Sequence, residues 1–257
     1  MEKEARYFLT YDMLGDLKRS GPVQWKVNRY RTEDVKDHTL DLIVMIKLIK
    51  PYLPSNIDLS KMIDYALFHD NEESITGDIT GFEGVSKEEK ERVNKIAMNY
   101  LINSYKGIMN IEDSIEGYEG KKDIEAKIVY MLDKMSSCIP FLKYDYEHEV
   151  DMDNPEIIDS LRNNPGVVKL KEQGLSLGEI FYVWHLRKVN FSDEELVKYN
   201  ITKETADSII ETIKTFMKSI VIQVKQLNQI VDDFPKEAMI YRDINHNEEE
   251  TLKTREI

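Results

Sequence analysis

The sequence predicts an all-α protein. Apolar residues recur at three-to-four spacing along most of the chain, and alternating strand-like runs bounded by turn residues are nearly absent. The breaks between periodic stretches hold the Gly, Pro and polar clusters that stop helices. Of 257 residues, 41% are hydrophobic and 32% charged, a balance that folds rather than stays disordered.

Taken in order, the first helix spans about residues 4 to 19 and stops at "SGPVQW", Ser20 to Trp25, read as a loop. A second, about 37 to 52, carries "DHTLDLIVMIKLIK" and ends in the loop "KPYLPSN". A third, about 59 to 72, runs through "MIDYALF" into "HDNEES" and gives way to the loop "TGDITGFEG". Further helices are expected over about 87 to 106, 121 to 145, 155 to 173 and 176 to 189. The last, about 202 to 233, takes Thr202 as N-cap, but Thr205 stands where a capping box needs Glu or Gln. Its apolar positions Ile209, Ile213, Phe216, Ile220, Val224 and Leu227 mark one buried face, an intramolecular core stripe rather than a coiled-coil seam. These elements divide into a core over 1–150, additional helices over 151–240 that pack on it, and a flexible tail over 241–257. The additional helices belong to the same domain or serve as a lid or dimer element, so a homodimer is compatible.

A formal charge of −13 argues against a nucleic-acid partner, which needs a basic face to displace counterions, and leaves room for a small anionic ligand at a local basic patch. No run of eighteen apolar residues and no charged-then-apolar leader occurs, so no membrane association is expected. The one cysteine, Cys138 in "SSCIPF", forms no internal disulfide and reads as a buried structural thiol, which fits a cytoplasmic protein.

Five histidines are present. His148 lies in an acidic stretch, His185 in an apolar one and His246 in the tail, and each is assigned a core or solvated role. His38 follows Asp37 at a helix start, and His69 precedes Asp70 at a helix end, so each can project from a terminus into a shared cavity. Imidazole nitrogen and carboxylate oxygen are ligands that divalent transition metals prefer. Glu73 lies one helical turn after His69, on the same face if the helix continues, within reach of a metal-bound water. The plain alternative makes "NEES" a solvated helix end.

"RTEDVKDH" (Arg31 to His38), "HDNEESITGD" (His69 to Asp78) and "EAKIVYMLDK" (Glu125 to Lys134), in this order and spacing, resemble the HD-domain phosphohydrolases. The likeness is closest to the branch containing bacterial 5′-deoxynucleotidases, which hydrolyse deoxynucleoside monophosphates. It covers roughly residues 14 to 145 and implies an HD-domain helical bundle with extra C-terminal helices. The resemblance further implies His38, His69, Asp70 and Asp133 as metal ligands. Glu73 becomes the acid that activates a metal-bound water, Asp78 the loop acid beside substrate and leaving group, and Glu72 is left without a role. Asp133 alone would read as an exposed helix acid paired with Lys134 or Lys127. No histidine occurs from Asn71 to Glu147; by analogy a single metal ion is implied, suited to a terminal phosphate.

The window Gly15 to Arg31 holds five basic residues, Lys18, Arg19, Lys26, Arg29 and Arg31, against one acid, Asp16. Arg31 and Arg19 lead as phosphate contacts, with Lys26 and Arg29 next. Trp25 resembles the tryptophan of the family's nucleotide-contacting loop, although it stands one residue closer to the first histidine and Gln24 occupies an arginine's place. The expected function is removal of the 5′-phosphate from (deoxy)nucleoside monophosphates with one divalent ion, Co²⁺ or Mn²⁺ in preference to Mg²⁺, Zn²⁺ or Fe²⁺. Two alternatives remain open: a (deoxy)nucleoside triphosphate hydrolase or pyrophosphohydrolase on the same site, and a non-catalytic nucleotide-binding scaffold.

Overall fold

The computed structural model describes residues 1–29, 31–80, 84–236 and 239. Among the described residues the chain forms helices joined by turns, with one isolated β-bridge between Lys18 and Asp34. None of these helices is long and apolar enough to cross a membrane. The tail expected to be flexible, 241–257, lies outside the described residues.

The helices that position the site start at side-chain caps. α3 (Val35–Ile49) begins with a capping box in which Asp34 and Asp37 each accept from the other's backbone N–H. The Asp58 carboxylate caps α4 (Leu59–Phe68), accepting from the backbone of Ser60 and Lys61. α8 (Ile124–Ser136) starts at Asp123, which accepts from Ala126 N, Tyr65 Oη and the Lys61 ammonium. At α14 (Lys203–Val224) Thr202 caps Thr205 N without a box, as the sequence implies.

Where helix boundaries depart from the sequence reading, the chain chemistry explains most of them. α1 (Glu2–Asp12) passes into a 3₁₀ turn at Met13–Asp16. The expected loop "SGPVQW" contains the short helix α2 (Ser20–Gln24). α4 stops at Phe68, after which Asn71 N, Glu73 N and Ser74 N bond three residues back instead of four. These tight turns lead into α5 (Glu73–Thr76). The expected helix over about 121 to 145 breaks at Ser137, and α9 (Cys138–Tyr146) follows. Pro140 has no N–H for the Ser136 carbonyl, and its ring clashes with a continuous helix there. Asn164-Pro165 likewise divides the next segment into α10 (Asp159–Arg162) and α11 (Pro165–Glu172), because the residue before proline avoids helical backbone. α6 (Lys87–Tyr105) and α12 (Leu177–Leu186) match the expectation closely.

Two further helices lie where the sequence reading placed none, α7 (Ile111–Glu119) and α13 (Asp193–Lys198). α7 carries Gly117 near its end and Gly120 just beyond it, weak helix formers, yet Gly117 is required: a Cβ there would lie 2.7 Å from the Tyr65 ring. The expected helix over 202–233 opens after Val224 and resumes as α15 (Leu227–Asp232).

α3, α4 and α8 pack on one another, α7 covers α4 and α8, and α12 and α14 lie against α9. Ile46, Ile49, Met62, Ala66, Ile128 and Met131 form a fully buried cluster that also takes in Ile209, Ile213 and Met217 of α14. Cys138 is buried in the same cluster, as expected of a structural thiol.

α12 comes so close to α9 that Gly178 N donates to Asp145 Oδ2 at 2.5 Å. A Cβ on Gly178 would stand 2.7 Å from the Leu142 backbone. Gly178→Ala is therefore expected to destabilise the fold by about 2 kcal/mol through overpacking. Urea unfolding followed by far-ultraviolet circular dichroism measures it, and an unchanged midpoint would contradict this packing.

Candidate metal and active site

Three helix ends converge on one point. His38 sits in the first turn of α3, His69 caps the C-terminus of α4 with Asp70 next, and Asp133 lies in the last turn of α8. Because α3, α4 and α8 are mutually packed, these polar side chains meet inside the bundle; His38, His69 and Asp133 are almost wholly buried. His38 Nε2 is 3.1 Å from Asp133 Oδ1 and 3.9 Å from Asp70 Oδ2. His69 Nε2 is 3.0 Å from Asp70 Oδ2 and 3.8 Å from Asp133 Oδ1.

These donors fit a divalent cation. His69 Nδ1 donates to the Ala66 carbonyl at 2.7 Å, which turns Nε2 inward. Although Asp70 is near, Nε2 makes no hydrogen bond and is a buried orphan, the arrangement expected of a ligand awaiting an ion. His38, His69 and Asp133 each offer one atom to a common point, and Asp70 Oδ2 borders the same space. This cluster supports a bound divalent metal; nitrogen and oxygen donors alone do not choose the element.

Burial disfavours charge throughout the cluster, and the neighbours decide what each group does. Burial opposes ionisation of Asp70, but His69 and Arg19 prevail and hold its carboxyl well below the usual carboxylate range. Asp133 is likewise held low, against burial, by Lys134, His38 and His69. Burial and then Arg19 lower His38, whereas at His69 the pull of Asp70 overcomes burial and raises the imidazole to about 9.

The "NEES" segment is not a solvated helix end: Asn71, Glu72 and Glu73 are all buried. Asn71 Nδ2 donates to Tyr7 Oη at 2.7 Å and Asn94 Nδ2 to Glu72 Oε1 at 3.3 Å. Glu72, expected to have no role, lines the cleft, and burial followed by the Asp70 charge raises it to about 8. Glu73 is raised to about 10 by burial, then Asp70 and Asp78. Its Oε2 has no hydrogen bond and lies 3.8 Å from the Arg19 guanidinium.

Arg19 is the one member of the basic window that joins the cluster. Its guanidinium reaches Asp70 at 3.3 Å and Asp78 at 3.7 Å. Asp78 also accepts from Ser20 N at 2.7 Å, while Ser20 Oγ donates to the Asp78 carbonyl, so two loops are fastened together. The structure does not bring the other sequence-chosen contacts to this point. Arg31 is 69% exposed and pairs with Asp34 and Asp37 on the outer side of α3. Arg29 pairs with Glu147 and Glu149, and Lys26 lines a separate depression with Arg29 and His148. Trp25 is buried edge-on against Phe181 of α12, with ring centroids 6.4 Å apart. A basic window in sequence gathers residues that the fold sends in different directions.

The cluster opens onto a cleft of about 620 Å³ whose floor includes His69, Asp70, Glu73 and Asp133 and whose far wall is one face of α6. Two side chains that the sequence reading missed touch Asp133 Oδ2: Tyr118 Oη donates at 2.9 Å and Lys134 Nζ lies at 2.7 Å. Tyr118 belongs to the unassigned α7. Lys134 had a signal, its adjacency to Asp133, but the pairing occurs in a buried site rather than on an exposed helix face.

The chain matches the HD domain over residues 11–164, more than half of its length. It is 32% identical over 136 residues to the 5′-deoxynucleotidase HDDC2 of Xenopus laevis, covering 52% of this chain and 66% of that protein. With the 5′-deoxynucleotidase YBR242W of Saccharomyces cerevisiae it shares 33% over 123 residues, 46% of this chain and 50% of the relative. With the 5′-deoxynucleotidase HDDC2 of Dictyostelium discoideum it shares 33% over 156 residues, 58% of this chain and 80% of the relative. The chain thus spans just under two thirds of the frog relative and half of the yeast one. Each similarity covers a little over half of this chain or less.

Proposed function

The chain belongs to the HD-domain family, and on that premise we propose that it is a metal-dependent phosphohydrolase that removes the 5′-phosphate from deoxynucleoside monophosphates. The observation that carries the reading is the convergence of His38, His69, Asp70 and Asp133 beside a buried Glu73 carboxyl oxygen that makes no hydrogen bond, at the floor of a cleft large enough for a nucleotide. The names of the relatives supply the bond and the substrate class.

His38, His69, Asp70 and Asp133 would hold the ion, Co²⁺ or Mn²⁺ by the sequence expectation. When bound, it supplies Lewis acidity, neutralising phosphoryl oxygens and making water a better nucleophile near neutral pH. Glu73 orients the attacking water through Oε2 and takes its proton there. Glu73 would need to be ionised for this role, against the burial and the neighbouring Asp70 that hold its pKa up, and a bound divalent ion would favour that form. Arg19, spanning Asp70, Glu73 and Asp78, fixes those carboxylates relative to one another, and Asp78 takes the place beside the leaving group that the family resemblance implies. The −13 charge supports a small nucleotide over nucleic acid, and the single buried thiol supports a cytoplasmic location.

The test is a panel of nucleoside and deoxynucleoside mono- and triphosphates assayed with Co²⁺, Mn²⁺ and Mg²⁺, with the released ion identified. Orthophosphate from deoxynucleoside monophosphates, lost on chelation, is expected. Tripolyphosphate or pyrophosphate as the product would replace this reading with another bond, and no hydrolysis of any nucleotide would leave only a binding protein.

A further inference from the structure

The cation that meets the substrate's phosphate is not in the window where the sequence places it. Arg19, the only residue of that window at the cluster, is engaged by three carboxylates. The cations that line the cleft are lysines, Lys87, Lys90 and Lys95 on the α6 wall and Lys121 and Lys134 opposite, and the last two lie beside one aromatic ring. Lys121 Nζ lies 4.4 Å and Lys134 Nζ 5.4 Å from the centre of the Tyr130 ring, with Lys127 at 5.7 Å. Three ammonium groups around one ring repel one another unless anions separate them.

Two have such an anion: Lys127 pairs with Glu195 at 2.7 Å, and Lys134 with Asp133 at 2.7 Å. Lys121 forms no ion pair among the described residues; Glu119 attracts it only from a greater distance. Burial, reinforced by Lys127 and Lys134, pulls its pKa below the ordinary lysine value. The cluster is one anion short on the side that faces the cleft.

The backbone at Lys121 adds an independent observation. α7 ends in a Schellman turn, with Lys122 N bonding Gly117 O and Lys121 N bonding Tyr118 O. The residue in its left-handed position is Lys121, at φ 44°, where glycine is free of strain and an L-residue with a Cβ costs about 1 kcal/mol. Gly120 stands one residue too early to relieve it. A lysine held in that strained position, with its ammonium over a ring in the cleft, is serving its side chain.

We propose that Lys121 and Lys134, seated on Tyr130, form the phosphate-binding pair of the cleft. Asp133 connects the two halves of the site: Oδ1 faces His38 and Oδ2 faces Lys134, so the seat lies one carboxylate away from the metal-ligand cluster. Lysine suits the task as a compact charge that can follow a phosphoryl group without a fixed fork. The proposal rests on the phosphohydrolase reading for the identity of its ligand.

Inorganic phosphate titrated calorimetrically into the Mn²⁺-loaded protein tests the seat directly. Lys121→Gln and Lys134→Gln are each expected to weaken phosphate ~10-fold and to raise KM for a deoxynucleoside monophosphate more than they lower kcat. Lys122→Gln, at the next residue but facing a different depression, should bind phosphate as the wild type does. Lys121→Gly separates binding from folding, because it relieves the left-handed backbone: Tm should hold or rise by about 2–4 °C while phosphate affinity falls ~10-fold. Metal content measured alongside shows whether Lys134→Gln acts through Asp133; Lys121 touches none of the candidate ligands and decides the matter. If both Gln variants bind phosphate within two-fold of wild type, the seat is refuted even where monophosphate hydrolysis is intact. If both lysines are needed for phosphate but no monophosphate is hydrolysed, the seat stands and the phosphohydrolase reading falls.

Discussion

Asp70→Ala is expected to lower phosphate release by at least ~10³-fold and to leave the protein unable to retain a divalent ion through dialysis. A single oxygen, Asp70 Oδ2, lies within 3.9 Å of His38, His69 and Arg19, so its removal takes away one side of the ion's cage and Arg19's nearest partner together. His69 then loses the charge that raises its pKa and relaxes toward the neutral imidazole favoured by burial. Elemental analysis after dialysis and a phosphate-release assay measure both effects. Full metal content with wild-type turnover would remove Asp70 from the site.

Glu73→Gln has the second largest expected effect, a fall in kcat of ~10²- to 10⁴-fold with metal content unchanged, because Glu73 stands outside the histidine and aspartate cluster. The amide keeps the shape and removes the proton acceptor. If metal content falls in parallel with kcat, Glu73 is a ligand rather than the base. A pH signature accompanies it in the metal-free protein. The folded-state pKa of Glu73, about 10, exceeds the reference value of 4.5, so the folded protein binds more protons between those limits. Stability from this group is fully present below the unfolded value and declines as pH rises through the folded one. Wild type stripped of metal should thus lose stability from pH 6 to pH 9 in urea melts, and Glu73→Gln should lose less; equal losses would contradict the burial described here.

The proposed metal-ligand positions were legible from the order of three motifs, His38, then His69-Asp70, then Asp133; the histidines and Asp70 stood out by residue type, whereas Asp133 came only from the resemblance to the HD-domain phosphohydrolases. Helix ends are marked by local signals such as Asp34, Asp58 and Pro140, and those signals act within a few residues. The exact stops were harder to read. The "NEES" run looks polar and solvated by composition, yet it follows α4 in tight turns and is driven inward by packing against Tyr7 and α6. α7 was invisible because Gly117 within it and Gly120 at its end argue against a helix, and the need for Gly117 comes from Tyr65, distant in sequence.

The sequence by itself determined the all-α class and most helix positions, and through its resemblance to the HD-domain phosphohydrolases it nominated the four proposed metal ligands. These are local or pattern properties, carried by residue type and spacing. Only the tertiary structure decided which cations face the cleft. Arg31 turns outward, Lys26 and Arg29 line another depression, Trp25 sinks against α12, and Lys121 and Lys134 arrive from beyond residue 120 to share the Tyr130 ring. Charge density along a chain does not say where a flexible side chain ends; the packing of helices far apart in sequence does.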